Sequence, residues 1–409
     1  MANVVIIGAG IVGCALAARL AENGVKVTLI DQAEVVAGAS GANLSLVLWS
    51  DAEPGVSLTM TRRAWDELPA EVADLEARTG LDLEFRRIHT LSLVLEGMDP
   101  RAALAGGAHL TEAGFQTELI DPAAVHALEP AVDLGGVQAA VYQEQAAINP
   151  FYFTLAWADR ARVAGASIVT GRRVTGFRMD GERIVGLETA GSGEPVGGDL
   201  YVLAAGAWTR ALALTAGIDL PEYHIIGEAC VTEALPPLLH GLVGEAGDNR
   251  VPFELELAAR GGDGSDLRLA EFAAIQTMSG NLVVGQVSHG GPGSGPDGRQ
   301  GNRPAVRPGA LRDLATGLVQ RLPAARSASV IRAWAKPVPF TPDHQPIIGR
   351  VASRPNLFIA SGLKSALIIT PLLSKLIVEA VIDGDLGSLR PFSPGRFPQG
   401  GFEELRPGG

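Results

Sequence analysis

The sequence predicts an α/β fold, and three observations predict it. The chain opens with an apolar run, a glycine-rich turn, a helical pattern and a second apolar run, the order of a βαβ unit. Two further runs far downstream, Tyr201-Val202-Leu203-Ala204 and Asn356-Leu357-Phe358-Ile359-Ala360-Ser361, read as buried strands. Short strand patterns bounded by turns lie between them, at 90–95, 230–232 and 281–287. A length of 409 residues corresponds to two or three folded units, and 47% hydrophobic residues suffice for a large core.

Val4-Val5-Ile6-Ile7 is the first strand, apolar throughout, so buried on both faces. Gly8-Ala9-Gly10-Ile11-Val12-Gly13 follows, then a helix through Ala21. Each glycine has a task in a dinucleotide site: Gly8 permits the tight turn, Gly10 lets the backbone approach a pyrophosphate, and Gly13 lets helix and strand pack closely. The helix N-terminus, with Ile11 and Val12, offers free N–H groups and a positive dipole end to the phosphates. Val25-Lys26-Val27-Thr28-Leu29-Ile30 is the second strand. Asp31, with Gln32 beside it, closes that strand where a carboxylate accepts both ribose hydroxyls of an adenosine. The agreement of strand, helix and acid favours a dinucleotide site over a purely structural glycine turn. An acid at Asp31 repels a 2′-phosphate and so disfavours NADP, but it leaves FAD and NAD both open.

Other classes are excluded more simply. Lys and Arg number 33 against 45 Asp and Glu, a net charge of −12, which argues against a nucleic-acid partner. Cys14 and Cys230, the only cysteines, make neither a disulfide framework nor a zinc site, and no metal is expected. Met-Ala-Asn runs into the first strand without a basic leader or cleavage site, and the apolar stretch 366–382 is interrupted by Pro371, Lys375 and Glu379. A buried helix and a cytoplasmic protein without a transmembrane segment are the expectation. No internal repeat is visible.

Three later segments carry a family resemblance: Gly38-Ala39-Ser40-Gly41-Ala42-Asn43; the strand ending Ala204-Ala205-Gly206-Ala207-Trp208; and Thr341-Pro342-Asp343-His344-Gln345-Pro346-Ile347-Ile348-Gly349 ahead of the strand ending at Gly362. In order and spacing the chain resembles the FAD-dependent D-amino-acid oxidase superfamily over nearly its whole length. The nearest branch is that of glycine and sarcosine oxidases, the small subunits of opine oxidases, and hydroxyproline dehydrogenases. The stretches 228–238 and 389–397 look like the opine and hydroxyproline members. The resemblance implies a Rossmann-like FAD-binding domain of glutathione-reductase type (1–80, 147–220 and 340–385), interleaved with an antiparallel-sheet α+β substrate domain (81–146 and 221–339) and followed by a tail, 386–409. It implies noncovalent FAD, since neither cysteine falls where some relatives attach the flavin. Ser40, Gly41, Ala42 and Asn43 are carried over as flavin contacts, Val174 as the backbone contact to adenine, and Ala205, Gly206 and Trp208 as neighbours of the pyrophosphate and ring. Gly362, Leu363, Lys364, Ser365 and Ala366 would close over the pyrimidine end. A helix starting there aims its positive end at the edge where charge collects on reduction, and Lys364 would add a full charge. The Gly-Asp-Ala-type acid of aromatic hydroxylases is missing near Gly349 and Gly362.

The implied reaction is oxidation of a C–N bond in a small amino acid or secondary amine of the opine, hydroxyproline or sarcosine type. Hydride passes to flavin N5, and water hydrolyses the imine. Oxygen or an electron-accepting partner takes the electrons, and homo- or hetero-oligomers occur among such proteins. The alternatives are an FAD-binding subunit active only in a hetero-oligomeric dehydrogenase, and a flavoprotein oxidising a 2-hydroxy acid. Glycine-oxidase-like members hold the substrate carboxylate with an arginine three residues before the Thr-Pro-Asp stretch; Val338 stands there, so Lys336 or Arg332 substitutes, the carboxylate is held elsewhere, or the substrate has none at that position. A further departure is His344, where the family has Gly after the Asp. His289 is expected to face substrate, with Lys336 and Lys364 as the other two catalytic candidates, and Trp334 and Tyr223 to wall the cavity. His89 reads as structural or exposed. The Gly/Pro-rich stretch 289–309 is a lid or a surface excursion.

Overall fold

A computed structural model describes residues 3–191, 196–247, 249–261, 264–290 and 304–397. Most of the Gly/Pro-rich stretch, 291–303, and the end of the tail, 398–409, lie outside the described residues, and with them the lid expectation. The first of two large sheets has six strands in the order Ile347–Val351, Arg354–Ser361, Leu200–Leu203, Asn3–Ile7, Lys26–Ile30 and Ser167–Val169. Five run parallel; Ile347–Val351 joins the edge antiparallel. Both faces are covered, as a fully apolar strand requires. Val4 and Ile6 point into the cluster that holds helix Ile11–Glu22, with helices Pro150–Val163 and Ala366–Asp383 packed on it. Val5 and Ile7 point to the other side, under the hairpin of Val174–Asp180 and Arg183–Thr189 and the helix Thr209–Thr215. The apolar stretch 366–382 is this buried helix, and among the described residues no helix is long and apolar enough to cross a membrane.

The second sheet has nine strands. Its path runs Val330–Phe340, Tyr223–Ala234, Asn281–Gly290, Arg268–Gln276, Leu242–Glu245, Arg86–Leu95, Val137–Ala147 and Leu46–Val47, with Thr117–Ile120 also on Val137–Ala147. All pairs are antiparallel except Leu242–Glu245 with Arg86–Leu95. Helix Pro308–Arg321 seals one face through Leu314 and Leu318. The strands expected at 90–95, 230–232 and 281–287 are all there, each inside a longer one; polar residues such as Glu228 and His289 sit in them buried, where the sequence pattern suggested turns. The stretch 168–174 divides into Ser167–Val169 in the six-stranded sheet and the start of the hairpin at Val174. The molecule is thus a Rossmann-type α/β layer joined to a sheet-rich second layer. His89 is structural: its Nε2 lies 2.7 Å from Oε1 of buried Glu129, which also accepts from the backbone N–H groups of His240 and Gly241.

Candidate active site

A cavity of about 1590 Å³ runs from the first glycine turn to the nine-stranded sheet. Helix Ile11–Glu22 starts at the cavity from Gly10, which has no side chain to cap it, and no acidic residue lies in its first turn. The Ile11 N–H donates to Ser40 Oγ at 3.0 Å, which ties the helix start to the 38–43 turn. Gly8 has φ of 109° against the Ala204 backbone, and a Cβ on Gly13 would overlap the Gly8 carbonyl oxygen, so the close turn admits no side chain at either. Asp31 lines the cavity but is held to the backbone: its Oδ2 accepts from Ala9 N–H at 2.7 Å and its Oδ1 from Ala33 N–H at 2.8 Å. Burial raises its pKa against these amides, which favour the charged form. Gln32, Arg173 and Val174 line the cavity beside it. A helix N-terminus free of acidic residues, a turn closed to side chains and a chamber of this size fit a dinucleotide such as FAD.

Ser40, Ala42 and Asn43 line the cavity, as do Ala205, Gly206 and Trp208. Gly13 and Gly41 do not line it. Gly41 packs so closely on Val36 that a Cβ would collide with its carbonyl. Asn43 Oδ1 accepts from Leu46 N–H at 2.8 Å and so steers the chain into the edge strand Leu46–Val47. Gly362, Leu363, Lys364, Ser365 and Ala366 all line the cavity just ahead of helix Ala366–Asp383. Ser365 Oγ donates to Asp51 Oδ2 at 2.6 Å, and Lys364 Nζ donates to Glu254 Oε2 at 3.3 Å. Burial works to lower the Lys364 pKa, but the nearby Asp51 and Glu254 carboxylates outweigh it and hold the ammonium above its ordinary range.

The outer wall comes from strand Val330–Phe340. Its pairing with Tyr223–Ala234 is unbroken from Arg332 to Phe340, so Trp334, Lys336, Val338 and Phe340 share one face, opposite Ala229, Gly227, Ile225 and Tyr223. Lys336 therefore points to the same side as Val338, one pleat away, and it lines the cavity across from a glycine. Trp334 lines it too, its Nε1–H donating to Ala42 O at 3.0 Å.

Two expectations need correction. His289 is not brought to the cavity. It pairs with Ile226, one residue out of phase with Gly227, so its ring faces the back of the sheet. There it is 3% exposed, with Nε2 3.0 Å from Glu228 Oε1 and Nδ1 lying 2.7 Å from Gly290 O and 2.9 Å from Arg307 Nη2. Tyr223 has the right phase but does not line the cavity. Helix Arg250–Ala259 covers it, and its hydroxyl donates to the Glu254 carbonyl at 3.2 Å.

The same helix brings charges that sequence reasoning missed. Arg250 and Glu254 line the cavity with Glu271 and Asp51. Arg250 Nη2 pairs with Glu271 Oε2 at 2.8 Å, and its Nε lies 3.7 Å from Glu254 Oε1. Burial pushes the Glu271 pKa up, while Arg250 opposes the shift and Glu254 and Asp51 add to it. The sole hint in the sequence was the four-residue spacing of Arg250 and Glu254. Cys14 and Cys230 are buried away from the lining, and burial raises both thiols, Cys230 to about 11.

Fold and cavity together are those of a dinucleotide-binding protein, with the cavity reaching on to the nine-stranded sheet. Residues 3–380 match the DAO family, described as FAD dependent oxidoreductase, and the chain belongs to that family. FAD is its cofactor. It is 29% identical over 94% of its length to a 4-methylaminobutanoate oxidase (formaldehyde-forming) of Paenarthrobacter nicotinovorans, of which it spans 44%. It is 26% identical over 92% of its length to a glycine oxidase of Pseudomonas aeruginosa, covering 94% of that protein. Among solved structures, glycine oxidase from Geobacillus kaustophilus superposes with a TM-score of 0.81 at 21% identity, covering 97% of this chain and 100% of that one.

Proposed function

We propose that this protein oxidises a C–N bond in a small amino acid or secondary amine of the opine, hydroxyproline or sarcosine type. The observation that carries the reading is the single cavity that joins the glycine turn to a sheet face bearing Lys336. Relatives whose names specify an amine or amino acid as substrate support it. In this reading the segments around the six-stranded sheet form the FAD domain and the nine-stranded sheet the substrate domain. Residues 8–13 hold the pyrophosphate, Asp31 and Gln32 the ribose, and Val174 the adenine. Residues 40–43, with Ala205, Gly206 and Trp208, bracket the flavin, and 362–366 cover its pyrimidine edge. Bound FAD supplies the hydride acceptor.

The chain's own residues orient and desolvate the substrate. Lys336 attracts its carboxylate from the pleat next to Val338, and Gly227 opposite leaves the room. Trp334, Val338 and Phe340 enclose the aliphatic part and exclude water, which strengthens each charge interaction inside. Little acid–base machinery is needed once a neutral amine is bound, because the gain comes from orientation.

Anaerobic absorption spectra of the purified protein, recorded while amines and D- and L-amino acids are added, test the reading. A flavin band that bleaches with one amine class supports it, and readmitted air then separates oxidase from dehydrogenase. A colourless protein that takes up no FAD refutes it, as does bleaching by 2-hydroxy acids alone. Lys336→Met should raise KM for carboxylate-bearing substrates about 10- to 100-fold, the worth of one charge-assisted hydrogen bond, and leave the flavin spectrum unchanged.

A further inference from the structure

Lys364 enters the cavity from the turn before helix Ala366–Asp383, yet the carboxylate that binds it belongs to the other layer. That group is Glu254, 1% exposed on helix Arg250–Ala259. Three cationic or titratable groups meet it: Lys364 Nζ at 3.3 Å and His344 Nδ1 at 3.3 Å from other segments, and Arg250 Nε at 3.7 Å from one turn earlier on its own helix. Arg250 has its shorter pairing elsewhere, to Glu271 at 2.8 Å. Asp51 accepts from Ser365 Oγ in the same turn as Lys364. The Lys364 ammonium thus feels two carboxylates, Asp51 and Glu254, and it is Glu254, in direct contact, that draws it toward helix Arg250–Ala259.

We propose that Glu254 is a positioning residue for Lys364: it draws the ammonium toward helix Arg250–Ala259 and so limits the positive charge that Lys364 lends to the flavin. The proposal rests on the reading above that 362–366 cover the pyrimidine edge of FAD. A free ammonium beside that edge stabilises the negative charge collecting there; one drawn to a carboxylate does so less. Neutralising Glu254 removes the pull toward helix Arg250–Ala259, while Asp51 still favours the charged ammonium, so Lys364 turns back to the cavity and its field at the flavin grows.

The experiment is a sulfite titration of the FAD-loaded protein, read from loss of the flavin band, with the midpoint potential measured alongside. Sulfite adds an anion to the flavin, so its affinity reports positive charge near the ring without turnover. Lys364→Met should weaken sulfite binding about tenfold, a single charge acting across a partly buried site. Glu254→Gln should tighten it by a similar factor and raise the potential. The double variant should behave like Lys364→Met, and Glu254→Asp, which keeps the charge, should restore nearly the original affinity even where the glutamine variant loads FAD poorly. Unchanged affinity in Glu254→Gln overturns the proposal, as does a double variant that returns to the wild-type value, because Glu254 would then act by its own field. If neither single variant moves the affinity, the placement of 362–366 over the flavin fails, and the proposal fails with it.

Discussion

Gly13 and Gly10 sit three residues apart in one turn, and different physics makes each a glycine. At Gly13 a Cβ would overlap the Gly8 carbonyl oxygen, so any side chain pushes helix Ile11–Glu22 off the strand end. At Gly10 a Cβ would meet only Ser40 Oγ, at 3.1 Å, and the position otherwise opens to the cavity. Gly13→Val should therefore cost stability, about 1–3 kcal/mol by overpacking, and lower FAD affinity as well. Gly10→Val should leave the melting temperature of the apoprotein nearly unchanged while reducing bound flavin, because it obstructs the ligand and not the fold. Apoprotein melting curves and the flavin-to-protein absorbance ratio separate the two. Equal loss of apoprotein stability in both variants would show that Gly10 also serves packing.

Strand Val330–Phe340 shows at the element scale what a sequence does and does not disclose. The glycine turn, Asp31 and the turn 40–43 stood out in the sequence because each is a pattern of residues close along the chain, and the structure brings them to one cavity with Ser40 in contact with the helix start. Whether Lys336 could stand in for an arginine at position 338 depended on regular pairing with another strand, which no local pattern reveals. Pro337 and Pro339 obscured the strand further; they are tolerated because it lies at the sheet edge. His289 was misplaced for the same reason, since a shift of one residue in phase turns a side chain to the opposite face. Tyr223 had the right phase and was lost to a covering helix with no motif to announce it. The regular register yields a test. Gly227 faces Lys336, and a Cβ there would find its nearest neighbour, Gln286 Oε1, 4.0 Å away. Gly227→Leu should fold and load FAD normally yet lower kcat/KM about tenfold or more by filling the chamber. Unchanged kinetics would mean that this sheet face is not the substrate wall.

At the scale of the whole molecule, the buried ionisable groups where the two sheets meet shape the dependence of stability on pH. Glu222 lies just before strand Tyr223–Ala234, 3% exposed, and its carboxylate oxygens have no hydrogen-bond partner of good geometry among the described residues. Burial pushes its pKa from 4.5 to about 8, with Ser361 and Arg210 opposing the shift. Two positions along, burial drives His224 from 6.5 down to about 4. The two act in opposite directions. As pH falls below 6.5, the unfolded chain takes up a proton that folded His224 refuses until about 4, so acid destabilises. As pH rises above 4.5, the unfolded chain releases a proton that folded Glu222 keeps until about 8, so alkali destabilises as well. Glu222→Gln removes only the second effect. Its melting temperature should match the wild type below pH 4.5, exceed it by a widening margin up to about pH 8 and hold that margin above, with the His224 limb unchanged. A constant offset at every pH would mean that Glu222 ionises freely in the folded protein. The burial that keeps it neutral would then be incomplete, and water would reach the seam between the two layers.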